Sequence, residues 1–379
     1  MQRTPLARAF GRSGSEAAAG PFAAAAPTGH YGHSEPGADH AIELERLTKF
    51  YPGRKDEENR PVPAVDSIDL RVPRGQVFGL LGRNGAGKST TVRMIATLLE
   101  PSSGSIRVYG LDAGRHRRAV RAQLGVALGG ERSVYWKLTA RQNLEYFAAL
   151  HGVPRRRSRA RITELLEQVG LTDRADDYVE QYSTGMRQRL VIARAVLHRP
   201  GVLLLDEPAS GLDPHSAEDL HSLIRRLRDD GHTILLTTHD MAEADLLSDR
   251  VGIIHAGRVR AVGTPVELKR SVGAARVLNV QVRHPGRATF YALRAELARR
   301  ALVTVRNEAS GSDGWTADLT LSSRDEEDLG PWLFEVTSRH RVTVSRLENE
   351  MVSLRDAFLA LTTDDERKGG ESVAGRAES

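Results

Sequence analysis

Eight consecutive residues, Gly82-Arg83-Asn84-Gly85-Ala86-Gly87-Lys88-Ser89, have the types and spacing to cradle phosphate. The glycines let the backbone turn its N–H groups inward around a polyphosphate. Lys88 can reach the outer phosphates, and the Ser89 hydroxyl can complete a Mg²⁺ shell. Such a loop needs a strand to launch it and a helix to receive it. Val77-Phe78-Gly79-Leu80-Leu81 is a short apolar strand. Thr90-Thr91-Val92-Arg93-Met94-Ile95-Ala96 has the apolar spacing of a helix start, and a helix N-terminus adds a favourable dipole. A glycine turn without a ligand also fits the eight residues alone. With both neighbours in place, they imply binding of a nucleoside triphosphate.

Three further groups could join that chemistry. Asp206 and Glu207 follow the apolar run Val202-Leu203-Leu204-Leu205, and Pro208 stiffens the segment. A carboxylate at a strand end suits the outer shell of Mg²⁺, and the next can polarise an attacking water; a solvated acidic turn fits the same pair. Ser183 is a good N-cap for a helix running through Ala193 and Val196, so Ser183-Thr184-Gly185-Met186 can present free N–H groups to an anion or simply be a capped helix start. His239 lies just past the strand Thr233-Ile234-Leu235-Leu236-Thr237, the ligand side of an α/β sheet.

These residues need a scaffold, and the chain has room for two or three domains in its 379 residues. The runs at 202–205, 233–237 and 251–254 are apolar on both faces, as central strands of a covered parallel sheet should be. Residues 42–45 and 65–72 alternate as half-buried strands, with a charged, Pro-bracketed loop at 52–63 between them. Residues 139–198 are largely helical by i, i+3, i+4 spacing. The fold expected is α/β with a helical insertion. Past residue 272 the reading is strand 276–283, helix 287–300, strands 302–306 and 315–321, helix 325–339 and strand 341–347. That order suggests a small α+β, ferredoxin-like domain. A closing helix is expected over 353–361. Residues 1–40 and 363–379 read as disordered tails.

The net charge is +5, with only six Lys among 54 basic residues. Absence of Cys rules out disulfides, thiolate metal sites and a Cys nucleophile, and it fits a cytosolic chain. No apolar run approaches the roughly 20 residues needed to cross a bilayer, so a membrane role must be carried by a partner.

Taken in order, the phosphate loop, Ser183-Thr184-Gly185-Met186, Asp206-Glu207-Pro208, Ser210-Gly211-Leu212-Asp213 and His239 resemble the nucleotide-binding subunit of ABC transporters over about residues 42–270. The resemblance implies a P-loop NTPase core at 41–270, with a helical subdomain at about 130–198 and an accessory domain at 272–362. It makes the loop from Gly82 to Thr90 the Walker A site and Asp206 Walker B. Ser89 and Asp206 would bind Mg²⁺. Glu207 becomes the catalytic base, His239 the switch histidine and Asp213 the D-loop residue. Tyr51 falls where the family stacks an aromatic on adenine; Phe50 is a neighbouring candidate, and a core position fits either. In the family, ATP is clamped between Walker A of one subunit and the signature of another, here Ser183 to Met186. The chain should therefore work as a homodimer or with a paralogue. Two positions depart from the family pattern. Gly129, followed by Gly130 and Glu131, stands where a Gln that touches Mg²⁺ is usual, and Thr184 replaces a signature glycine.

The segment Val352-Ser353-Leu354-Arg355-Asp356-Ala357-Phe358-Leu359-Ala360-Leu361-Thr362 looks like the closing segment of ATPases serving ABC-2 type exporters, including daunorubicin-resistance-like drug exporters. This implies an ATP-hydrolysing subunit of an exporter, held at the cytoplasmic face of the membrane by a separate multi-spanning permease. A soluble ABC ATPase acting on ribosome or DNA, or a module that clamps ATP with little turnover, is the alternative. The run Arg155-Arg156-Arg157-Ser158-Arg159-Ala160-Arg161 suits a solvated helix face better than nucleic acid, because it lacks interleaved aromatics; anionic headgroups are a third partner for it.

Overall fold

The computed structural model describes residues 39–55, 59–128, 133–271, 277–284, 286–311, 314–323, 329–350 and 353–362. Both expected tails, apart from residues 39 and 40, and the Gly129-Gly130-Glu131 departure lie outside these described residues.

Parallel strands form the centre. β3 (Val77–Leu81), β6 (Leu124–Ala127), β7 (Val202–Asp206), β8 (Thr233–Thr238) and β9 (Arg250–His255) pair in parallel, and β10 (Arg258–Gly263) closes the sheet antiparallel to β9, in the order β10-β9-β3-β8-β7-β6. Every residue of β3, β7 and β8 is buried, which explains their apolar centres; the polar residues, Asp206 in β7 and Thr233, Thr237 and Thr238 in β8, lie at the strand ends. The pleat sends alternate side chains into different cores. Leu203, Leu205, Ile234 and Leu236 point into one with the helical segment. Val202, Leu204 and Leu235 point into the other with the N-terminal sheet.

That second sheet is antiparallel, in the order β2-β1-β4-β5, built from β1 (His40–Lys55), β2 (Pro61–Pro73), β4 (Ser103–Val108) and β5 (Leu111–Asp112). Residues expected as a loop at 52–63 partly belong to it, since Phe50 pairs with Pro63 and Lys55 with Pro61. The prolines are tolerated because β2 is an edge strand, where a missing N–H breaks no ladder bond.

Helix α1 (Lys88–Ile95) follows β3, and α2 (Arg117–Gln123) precedes β6. The helical segment holds α3 (Ala140–Leu150), α4 (Arg155–Gln168) and α5 (Thr184–Val196), whose Leu144, Leu165, Leu190 and Ile192 share the first core. Helix α3 starts at a capping box: Gln142 N–H donates to the Thr139 hydroxyl at 3.1 Å, and Thr139 N–H to Gln142 Oε1 at 3.0 Å. α6 (Pro214–Asp229), α7 (Met241–Leu247) and α8 (Pro265–Ser271) complete the helices between and after the parallel strands. No described helix is long and apolar enough to cross a membrane.

Beyond it, β11 (Val277–His284), α9 (Arg287–Leu297), β12 (Ala301–Gly311), β13 (Gly314–Ser323), α10 (Leu329–Arg339) and β14 (Thr343–Glu350) follow the β-α-β-β-α-β order. The strands pair antiparallel as β12-β13-β11-β14, a ferredoxin-like sheet. β12 is longer than its sequence suggests because hairpin pairing with β13 runs from Ala301–Ser323 to Gly311–Gly314. The closing helix, residues 354–362, packs back on the parallel sheet, where Leu354, Ala357 and Phe358 share a core with Leu81, Val251 and Ile253.

Candidate nucleotide site

The C-terminal ends of β3, β7 and β8 meet at one edge of the sheet. Gly82 N–H, just past β3, donates to Thr238 O at 3.2 Å, and Glu207 N–H, just past β7, donates to Thr237 O at 3.1 Å. Strand order therefore brings residues far apart in sequence to one place, as expected at the carboxyl edge of a parallel sheet.

Steric limits explain the glycines of the phosphate loop. A Cβ on Gly82 would lie 2.5 Å from Ile254 O, and one on Gly87 2.6 Å from Ala64 O. Gly87 also has φ +106°, a conformation that side-chain-bearing residues rarely adopt. It is the N-cap of α1 and gives that helix no side-chain cap, so first-turn N–H groups are not taken by a capping oxygen. The buried Lys88 ammonium donates to Gly82 O at 2.7 Å and sits 3.3 Å from Glu207 Oε1. Tyr51 reaches the same helix, its hydroxyl 3.4 Å from the Thr90 hydroxyl.

Asp206 is buried, and one of its carboxylate oxygens accepts from the Ser89 hydroxyl at 3.0 Å and from the Thr237 hydroxyl at 2.6 Å. Glu207 takes a left-handed backbone, φ +48°, which costs about 1–3 kcal/mol for a residue with a Cβ. Its N–H donates to both the carbonyl and the hydroxyl of Thr237, and these bonds hold the turn. The turn sets the Glu207 carboxylate between Lys88 and His239, with Oε2 3.2 Å from His239 Nδ1. Thr237, which its sequence context marks only as strand, is thus a clamp on both acidic residues. A hydroxyl at the end of an otherwise apolar strand was its available signal.

Among the described residues, no group of three His, Cys, Asp or Glu side chains gathers into a metal site. One carboxylate and one hydroxyl nonetheless suit Mg²⁺, which keeps several waters and takes most of its remaining oxygens from substrate phosphates. Asp206 and Ser89 fit that donor set.

Ser183 N-caps α5, its hydroxyl accepting from Met186 N–H at 3.2 Å. No hydrogen bond or ion pair among the described residues joins Ser183 to Met186 with the Lys88–Asp206 cluster. Their close neighbour is α6: a Cβ on Gly185 would lie 2.6 Å from the Ser216 hydroxyl. Asp213 caps α6 by accepting from Ser216 N–H at 3.0 Å, and the Ser216 donors hold its carboxyl below the usual range. The Thr184 side chain, where the resemblance has glycine, accepts from Arg187 at 3.3 Å and lies on the exposed side.

Residues 65–210 match the ABC transporter family. The chain is 41% identical over 335 residues to the daunorubicin resistance ATP-binding protein DrrA3 of Streptomyces coeruleorubidus, covering 87% of this chain and 98% of that protein. A solved ATP-binding subunit of an ABC transporter superposes with TM-score 0.54 at 31% identity, over 62% of this chain and 93% of its own. A dimeric ATP-binding cassette in a post-hydrolysis state, bound to ADP and Pi, gives a TM-score of 0.52 at 25% identity, over 59% and 98%. Likeness along nearly the full length of a relative, together with the phosphate loop and the acidic turn beside it, makes this chain a member of the ATP-binding subunits of ABC transporters, of the daunorubicin-resistance exporter type.

Proposed function

We propose that two copies of this chain close on ATP, hydrolyse it, and thereby drive export through a separate, multi-spanning ABC-2 type permease at the cytoplasmic face of the membrane. The observation that carries this reading is the split between two sets of residues. Lys88, Ser89, Asp206, Glu207 and His239 are joined by direct contacts, whereas Ser183 to Met186 opens a different helix outside that network. A second copy related by two-fold symmetry can bring its Ser183 N-terminus, with the dipole of α5, to phosphates held by the first. A paralogue with the same motif would serve equally.

In the closed pair, Lys88 and the loop N–H groups neutralise the outer phosphates, and Tyr51 offers a ring to the base. The Glu207 carboxylate takes a proton from the attacking water, and His239, in contact with it, faces the transferred phosphoryl group. Ser89 and Asp206 would hold Mg²⁺, which would supply positive charge to the outer phosphates.

The permease-facing surface is read from the helical segment. Tyr135, Trp136, Tyr146 and Leu150 are large, apolar and exposed, and Tyr135 and Tyr146 pack edge to face at 5.0 Å. Buried Asn143 fixes this patch, accepting from Tyr135 N–H at 2.7 Å and donating to Tyr135 O at 2.9 Å. Clustered exposed aromatics on a rigid support suit a protein partner.

Size-exclusion chromatography with light scattering tests the split site. Glu207→Gln in Mg-ATP is expected to elute as a dimer, because removing the base traps the closed form. A monomer at saturating Mg-ATP would sink the two-copy reading.

A further inference from the structure

Beside the nucleotide site lies a buried ionisable pair that the chemistry above does not use. Glu243 of α7 and His221 of α6 face each other with Oε1 and Nε2 3.4 Å apart. Glu243 is buried, and His221 nearly so. Burial pushes the Glu243 carboxyl up, against the pull of Thr238 and His221. Such a pair gains little net stability once desolvation is counted. What it fixes is geometry.

The geometry leads directly to the site. The other Glu243 oxygen, Oε2, accepts from the Thr238 hydroxyl at 2.5 Å. That hydroxyl in turn accepts from Asp240 N–H at 3.0 Å, the residue after His239. The Thr238 carbonyl accepts from Gly82 N–H at 3.2 Å, at the first residue of the phosphate loop. One threonine therefore joins the His239 loop to the phosphate loop, and Glu243 sets its hydroxyl. On the other side, His221 lies two turns into α6, the helix capped by Asp213 and touching Gly185 through Ser216.

We propose that Glu243 is a positioning residue for ATP hydrolysis: through Thr238 it holds the loop carrying His239, and through His221 it ties that loop to α6 and the signature helix beside it. The link deepens the hydrolysis reading above and rests on it. It gives a route by which a change at Ser183–Met186 or Asp213 alters the placement of His239 within the same chain.

The test uses the full chain and steady-state phosphate release over a range of Mg-ATP. Glu243→Ala, His221→Ala and Thr238→Val are expected to lower kcat about tenfold, the scale on which losing an orienting partner acts, with the KM for ATP unchanged. Thr238→Ser, which restores the hydroxyl, is expected to recover wild-type turnover. In a double-mutant cycle, Glu243→Ala is expected to lose its effect once His239 is alanine, because its action passes through that loop. Wild-type kcat in Glu243→Ala, an undiminished effect in the His239→Ala background, or failure of Thr238→Ser to rescue would each overturn the proposal. Should Glu243→Ala not fold, the Thr238→Val and Thr238→Ser pair decides alone. A wild-type chain that hydrolyses no faster than Glu207→Gln would instead bring down the hydrolysis reading, and this proposal with it.

Discussion

The Lys88 ammonium lies 3.3 Å from a Glu207 carboxylate oxygen. The other oxygen of that carboxylate is 3.2 Å from His239 Nδ1. A buried cation from the phosphate loop after β3 and an imidazole from the loop after β8 therefore share one anion. The left-handed backbone at Glu207 makes this possible, because a strand continued in extended form would carry the side chain away from Lys88.

Glu207→Gln keeps the size of the side chain but removes its charge and its capacity to accept a proton. Turnover is expected to fall by about a hundredfold or more, the lower range for loss of a general base, while ATP binding persists through Lys88 and the loop. Phosphate release and binding of a fluorescent ATP analogue measure the two separately. Equal turnover in variant and wild type would remove Glu207 from the reaction.

Thr237 holds the Asp206 carboxylate and the Glu207 backbone N–H, and so gives a different signature. Thr237→Val keeps the branched shape but leaves the Glu207 turn with only a carbonyl acceptor and removes one donor from Asp206. A stability loss of about 1–3 kcal/mol is expected from the weakened buried network. Turnover should drop with it, and Thr237→Ser should restore both. If urea midpoint and turnover are unchanged in Thr237→Val, the clamp has no consequence.

The phosphate loop, the acidic turn and the central strands were legible because each is local: a glycine pattern, a strand-end pair of carboxylates, an uninterrupted apolar run. The β-α-β-β-α-β order near the C-terminus was readable for the same reason, each element carrying its own periodicity. What could not be read was set by contacts between distant segments. Nothing near Thr237 says that it will meet Asp206, since only the pairing of β7 with β8 brings them together. The 52–63 stretch reads as a loop because it is charged and bracketed by Pro52 and Pro63, and only the pairing of β1 with the edge strand β2 draws part of it into the sheet. Likewise, His221 and Glu243 each fit an ordinary amphipathic helix, and their meeting depends on how α6 packs on α7.

His198 supplies a prediction about pH. It stacks on His151 with ring centroids 4.0 Å apart, and its Nε2 is 3.1 Å from Leu124 O. Burial, with a contribution from His151, lowers its pKa to about 4. The unfolded chain, near 6.5, takes up a proton that the folded chain resists. Stability is therefore full above about pH 6.5, falls as pH drops towards 4, and levels off below, a loss on the order of 3 kcal/mol for this group. Urea unfolding at pH 7.5 and pH 5 measures the fall. His198→Asn should flatten that slope, and an unaltered slope would assign the acid sensitivity to other groups.

Phe358 tests whether the closing helix belongs to the nucleotide-binding core. It is almost fully buried with Leu81, Val251 and Ile253, and Leu81 is the last residue of β3 before the phosphate loop begins at Gly82. Removing a buried phenyl ring loses transfer free energy and leaves a cavity, so Phe358→Ala is expected to destabilise the fold by about 3–5 kcal/mol. Leu359, exposed on the same helix, is the control, and Leu359→Ala should stay within about 0.5 kcal/mol. Because the cavity would open directly beneath the end of β3, ATP affinity is expected to weaken in Phe358→Ala and not in Leu359→Ala. Chemical denaturation and nucleotide titration of the two variants decide it. Equal stability in both would mean that the helix rests on the sheet without supporting it.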